Sequence, residues 1–278
     1  DSVLKQTYAH IELIVVDDGS TDNTPGICKE YERRIKYIRQ ENQGCAAAYN
    51  TGINHSNGEF IAFNNHDDLW HTENIERKIR FALDNSCDLV FSDGVKFRKN
   101  KPDPANLKSQ TSRKKMKRRL NSDQLLELLK GNIMNAPSVV VRKEVFDTVG
   151  LFDESLRNAE DYDMWLRIAA YGYKICYLDE PLIFFRIDEA NKSGDIHKMH
   201  KVRMRILENV FNLDDFPHDY KQYKDTAIAH ALALYANQLY NEGNYNEFKR
   251  KYKEIINLDK KALTTTLKRR YVKSKFKK

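Results

Sequence analysis

No run in the sequence approaches the roughly 18 consecutive apolar residues a membrane-spanning helix needs, so a soluble or peripheral protein is expected. Cysteine is scarce: Cys28, Cys45, Cys87 and Cys176 are scattered and form no CxxC pair, which argues against a zinc site or a disulfide framework. Reduced thiols and a cytoplasmic setting are the expectation. The sequence opens on no Met, signal peptide or basic-apolar leader. Its first residues, "DSVLKQTY", read as the end of a helix, with an earlier element of the fold upstream.

Acids are nearly absent from two segments. Residues 96–119 hold eleven Lys/Arg against Asp103 alone, and residues 260–278 hold nine Lys/Arg and no acid. With a formal net charge of +7, these +10 and +9 segments leave −12 for the remainder. The basic character therefore belongs to two segments and not to the fold. Such blocks suit an anionic membrane surface, or are simply solvated charge. "RKKMKRR" lacks the interleaved aromatics of a single-strand platform, and no nucleic-acid partner is expected.

What is present is a chain of 278 residues, 41% hydrophobic, enough for one large domain or for a medium domain with an appendage. "IELIVVDD" (11–18) reads as a buried strand emptying into a loop, and "IKYIRQ" (35–40) and "EFIAFNN" (59–65) as further strands. Helices are expected within "STDNTPGICKEYERR" (20–34), with Asp22, Asn23 or Thr24 as cap, over 44–56 and over roughly 73–84, and "CDLVFSD" (87–93) follows as a strand. The alternation predicts an α/β fold with a doubly wound, mostly parallel sheet. Ligands of such sheets bind beyond the carboxyl ends of the strands. Asp17-Asp18, Asn42 and Asn65-Asp67 all fall at that edge. Farther on, "NAEDYDMWLRIAAYGY" is a helix with acids in its first turn and "KICYLDEPLIFFRID" a strand. Beyond about 197 the pattern is helical, with a hairpin turning at Gly243.

Five segments in order, "IVVDDGSTDNT", "NQGCAAAYNTGI", "GEFIAFNNHDDLW", "VGLFDESLRNAEDYDMWLRIAAYGY" and "EPLIFFRID", resemble the family 2 glycosyltransferases, which have the GT-A fold. The resemblance implies a GT-A domain over 1–194 with its first strand missing, and a helical extension with a basic tail over 195–278. It further implies inverting transfer of a sugar, hexosyl or N-acetylhexosaminyl, from a nucleotide donor (UDP-linked by preference) to an acceptor hydroxyl. The setting would be surface polysaccharide biosynthesis on a saccharide or lipid-linked acceptor, at the inner face of the plasma membrane. The alternative is a catalytically silent sugar- or nucleotide-binding domain of the same fold.

By this resemblance Asp17 meets the base and Asp18 the ribose, while Asn42, Gly44, Asn50 and Asn65 line the nucleotide. Asp67 aligns with the last acid of the Asp-x-Asp motif and would hold Mn²⁺ or Mg²⁺, which neutralises the departing diphosphate. Asp161 matches the general base that deprotonates the acceptor hydroxyl, with Glu160 beside it. Bland alternatives stand next to each: strand-end acids capping a turn, and helix N-terminal acids favoured by the macrodipole. Trp165 either stacks on the acceptor sugar or belongs to the core. Two departures from the family pattern matter. Tyr49 replaces an arginine, and Asn65 replaces an acid. Asp188, where the family has a metal-binding His, is the candidate to supply the missing carboxylate.

Overall fold

The computed structural model describes residues 1–98, 123–156, 158–187 and 195–276. The chain divides into two compact units, one of residues 1–124 and 134–192 and the other of residues 125–133 and 193–278.

In the first unit, β1 (Ile14–Asp18) and β2 (Lys36–Gln40) pair in parallel, with α1 (Thr24–Glu30) between them. A second sheet has the order β3 (Phe60–Ala62), β6 (Val139–Arg142), β5 (Leu89–Phe97), β7 (Ile175–Arg186) and β4 (Leu69–Trp70). The α/β class is the one expected, but the pairing is more mixed than the strand–helix alternation implied. β5–β7 is parallel, whereas β3–β6, β5–β6 and β4–β7 are antiparallel. Alternation constrains which elements neighbour one another, and the direction of a short returning strand is set by how its loop closes.

Helices α2 (Cys45–Asn54), α3 (Asn74–Asp84), α5 (Val145–Val149) and α6 (Glu160–Ala170) accompany these strands. α3 turns Ile75, Ile79 and Ala82 inward at helical spacing, against Trp70, Val90, Val140, Leu178, Leu182 and Ile183. Each such buried aliphatic side chain contributes about 1.5–3 kcal/mol. Lys78 shares this inward face. It is 0% exposed, its Nζ donates to the Ser138 carbonyl at 2.6 Å, and burial holds its ammonium well below the ordinary lysine value.

The cysteine expectation is corrected here. Cys87 and Cys176 form a disulfide across 89 residues of sequence. The register explains it, because Val90 pairs with Cys176 and Leu89 with Ile175, which brings Cys87 alongside. Spacing in sequence carries no trace of a pairing made by two parallel strands. Cys28 and Cys45 are free.

Residues 125–133, which include most of α4 (Gln124–Leu129), belong to the second unit with four longer helices. α7 (Ile196–Phe211) is capped by Asp195, and α8 (Lys224–Asn241) and α9 (Tyr245–Asp259) form the hairpin expected at Gly243. That glycine has φ +81°, the left-handed conformation a sharp helix–helix turn uses. α10 (Thr265–Ser274) is capped by Thr264. Leu232, Ala236, Leu239, Phe248, Tyr252, Ile255 and Leu267 make this unit's core. His197 and His200, at helical spacing with no third ligand apparent in sequence, both pack on the ring of Tyr235. Among the described residues no helix is long and apolar enough to cross a membrane.

Candidate active site

The β1–β2 register builds the first corner. Asp17 lies opposite Arg39 and Asp18 opposite Gln40, at the carboxyl ends of both strands. The buried Asp17 carboxylate accepts from the Tyr37 hydroxyl and from the Ser20 amide at 2.7 Å, with the Arg39 guanidinium at 3.5 Å. Burial opposes its ionisation. The Tyr37 and Ser20 bonds and the Arg39 charge outweigh that and hold its carboxyl below the usual range. Asp18 accepts from Gln40 Nε2 at 2.8 Å and from the amides of Gln43 at 2.9 Å and Gly44 at 2.8 Å. It thereby ties the end of β1 to the loop that enters α2. The exposed Asn42 lies in that loop, packed so close to Gly19 that a Cβ there would stand 2.9 Å from the Asn42 amide.

The second corner follows β3. Asn65 is held from both sides: its Oδ1 accepts from the Tyr49 hydroxyl at 3.0 Å, and its Nδ2 donates to Asp68 at 3.2 Å. Asp68 also accepts the Arg186 amide at 3.1 Å, and Arg186 Nε donates to the Asp67 carbonyl at 3.2 Å. Burial pushes the Asp68 carboxyl up to about 6, against the Arg186 hydrogen bond and with the Asp67 charge adding to it. Asp67 itself is half-buried and His66 exposed.

The third corner is the N-terminus of α6. Glu160 turns back to accept from the Ala159 amide at 3.0 Å, leaving Asp161 half-buried beside it. Asp163 has a different task. It takes Arg167 Nε at 2.8 Å, and Arg167 donates in turn to the carbonyls of Val149 and Leu151. That acid is structural, held by its ion pair with Arg167.

The second and third corners meet through α2. Cys45 counts as exposed, yet its thiol is crowded enough for burial to push it up to about 12; the Tyr49 hydrogen bond works against this and the Glu160 and Asp161 charges add to it. Tyr49 is likewise pushed far above its ordinary value, by burial first and then by Cys45, Glu160 and Asp161. It therefore stays protonated and a donor. Its ring lies 4.9 Å from Phe63 and 5.2 Å from Phe152. Tyr49 is thus hydrogen-bonded to Asn65, and through it to Asp68, while lying near enough to Glu160 and Asp161 for their charges to act on it.

Trp165 takes the second of its two expected places, and Asn50 changes role. Trp165 is 0% exposed and packs on Phe152, so it is core and not an acceptor platform; a helix carrying acids at its mouth still buries its next turn. Asn50 is buried with its whole amide committed, donating to Phe152 O at 3.0 Å and Glu154 at 2.8 Å and accepting from the Phe152 amide at 2.9 Å. It anchors the loop leading to α6. Gly44, at φ +97°, sits at the start of α2 with open space where a Cβ would be. Asp188, most of the 96–119 basic block and Lys277-Lys278 lie outside the described residues. The sequence reading missed Tyr37, Arg39 and Gln40, whose roles depend on strand register, and Cys45.

Among the described residues no three His, Cys, Asp or Glu side chains form a metal cluster. The donor set still fits a substrate-borne cation, since Mg²⁺ is held through one or two carboxylates plus substrate phosphates and water. Asp67 places a half-buried carboxylate at this corner, next in sequence to the Asn65-bonded Asp68.

The acids thus stand at the carboxyl ends of strands and at a helix N-terminus of an α/β unit. Solved structures agree on the fold. Staphylococcus aureus TarS 1-349 in complex with UDP superposes with a TM-score of 0.64 at 17% identity, covering 98% of this chain and 82% of that one. The mannosyltransferase PcManGT of Pyrobaculum calidifontis, in complex with GDP-Man and Mn²⁺, gives 0.60 at 16%, covering 99% and 78%. A family profile described as glycosyl transferase family 2 matches residues 1–150. The chain belongs to that family. An uncharacterized glycosyltransferase of Rickettsia typhi is 35% identical over 70% of this chain and 60% of its own length. A putative teichuronic acid biosynthesis glycosyltransferase of Bacillus subtilis, TuaG, is 27% identical over 76% of this chain and 81% of its own. The chain spans only 28% of a Rickettsia felis relative that it also matches.

Proposed function

We propose that this protein is an inverting glycosyltransferase that moves a sugar from a UDP-linked donor to an acceptor hydroxyl in surface polysaccharide assembly. The observation that carries this reading is the joining of two corners: the Glu160-Asp161 pair stands within electrostatic reach of Tyr49, which hydrogen-bonds Asn65 at the end of β3. TarS, solved with UDP and with UDP-GlcNAc, supports the choice of donor, and the TuaG name supports the polysaccharide setting.

In this reading Asp17 and Asp18 shape the nucleotide pocket, holding the β1 exit and the 42–44 loop in place around the base and ribose. Asp67 holds a divalent cation, with Asp188 as a further candidate ligand. When bound with the donor, that cation neutralises charge on the departing diphosphate. Asp161 takes the proton from the acceptor hydroxyl as the oxygen attacks the anomeric carbon opposite the leaving group. Glu160 stays engaged with the Ala159 amide and keeps the helix start rigid.

A silent nucleotide-binding domain is the second reading, favoured by one observation: Asn65 stands where the family has an acid, and its amide oxygen and nitrogen each already engage a protein partner, Tyr49 and Asp68. Asp161→Asn separates the two. With a UDP-sugar panel and Mn²⁺, UDP release by the wild type should fall roughly 10²–10⁴-fold in the variant, the share a general base supplies. UDP-induced thermal stabilisation should remain. Turnover unchanged in Asp161→Asn would reject the assignment of the base, and a wild type that binds UDP but never turns over would favour the silent domain.

A further inference from the structure

α10 is seated by one stripe and leaves the opposite stripe exposed. Leu267 is fully buried in the helical core, and the Tyr271 ring stacks on Tyr252 at 4.0 Å and 7°. Arg270 donates to the Asn237 carbonyl at 3.0 Å and to its Oδ1 at 2.8 Å, with its guanidinium 5.0 Å from the Tyr240 ring. These contacts fix the helix against its unit. At about 100° per residue, the outward stripe is then centred on Val272, with Phe276 about 40° away just past the helix end. Val272 is 57% exposed and Phe276 87%. Lys268 and Lys275 flank that crest on one side, Arg269 and Lys273 on the other.

We propose that this outer face of α10 is a docking surface for an anionic lipid bilayer. Val272 and Phe276 enter the boundary between headgroups and acyl chains, and Lys268, Arg269, Lys273 and Lys275 meet the lipid phosphates. Charge complementarity selects the partner class, because residues 260–278 contain nine basic residues and no acid. The apolar crest selects lipid over nucleic acid. A phosphate backbone would satisfy the cations but would leave Val272 with no apolar phase to enter. An interfacial helix with an apolar crest between basic flanks is the arrangement that gains from both. The crest is only two residues wide, so binding depends on the anionic headgroups and weakens with salt. This inference is independent of the transfer reaction.

The test is flotation of the full chain with vesicles of phosphatidylcholine alone and with phosphatidylglycerol added, with an oligonucleotide as competitor. Recovery should require phosphatidylglycerol and fall as salt rises. Each of Lys268→Gln, Arg269→Gln and Lys273→Gln should lower partitioning about fivefold, equivalent to ~1 kcal/mol per cation near the surface. Val272→Ser with Phe276→Ser should lower recovery at low salt with no change in melting temperature. Both native tryptophans are buried, Trp70 at 6% and Trp165 at 0% exposure, so Phe276→Trp adds an exposed reporter. Its emission should shift to the blue on vesicle addition. Equal recovery from both vesicle types, an unshifted Phe276→Trp emission, or capture by the oligonucleotide in preference to anionic vesicles would each overturn the proposal.

Discussion

Tyr49→Phe is the sharpest test of how the two corners communicate. The substitution deletes one hydroxyl and keeps the ring contacts to Phe63 at 4.9 Å and Phe152 at 5.2 Å. What is lost is the 3.0 Å bond that fixes the Asn65 amide, together with the hydroxyl's weaker interaction with the Cys45 thiol. Asn65 is half-exposed, so water can replace the donor, and the net cost sits near the usual ~1 kcal/mol for one hydrogen bond. Without that bond the Asn65 amide is free to rotate, which disturbs its second bond to Asp68 and the β3 exit beside Asp67. If the orientation of Asn65 sets the nucleotide corner, the same ~1 kcal/mol appears as an approximately fivefold loss in donor affinity or kcat/KM. Tyr49→Ala removes the packing as well and should cost about 3–5 kcal/mol of stability. Calorimetric titration with UDP and Mn²⁺, run beside chemical denaturation, reads both quantities. Donor affinity and turnover unchanged in Tyr49→Phe would show that Tyr49 is only core and that no polar connection links the corners.

Two stability predictions follow from the first unit. The buried Lys78 binds fewer protons in the folded than in the unfolded state between its depressed value and the ordinary 10.5. Stability therefore falls as pH drops through that window, by up to about 1.4 kcal/mol per pH unit for one proton. Lys78→Met should be more stable than the wild type at pH 7 and lose this slope; a difference between the two that stays constant with pH would refute it. Reducing the Cys87–Cys176 disulfide, which closes 89 residues of chain, should cost about 2–4 kcal/mol in denaturant unfolding. Thiol titration of the unreduced, denatured protein should find two free cysteines, and finding all four would dismiss the bond.

The sequence by itself determined the elements and the chemistry at their ends. Apolar runs marked β1 (Ile14-Val15-Val16) and β3 (Phe60-Ile61-Ala62), and the acids at 17–18, 67–68 and 160–161 stood where strands stop or a helix begins, because those signals are local. Most of the helices and the Gly243 turn were legible for the same reason. Tertiary structure decided what those residues do. Strand register placed Tyr37, Arg39 and Gln40 on Asp17 and Asp18, and brought Cys87 beside Cys176. Helix packing sent Trp165 into the core and committed Asn50 to the Phe152 loop. It also made Tyr49, in sequence only a missing arginine, the donor that joins Asn65 to the Glu160-Asp161 corner. Local pattern reports which side chains a segment carries. Their partners come from segments tens of residues away, and only folding decides those distances.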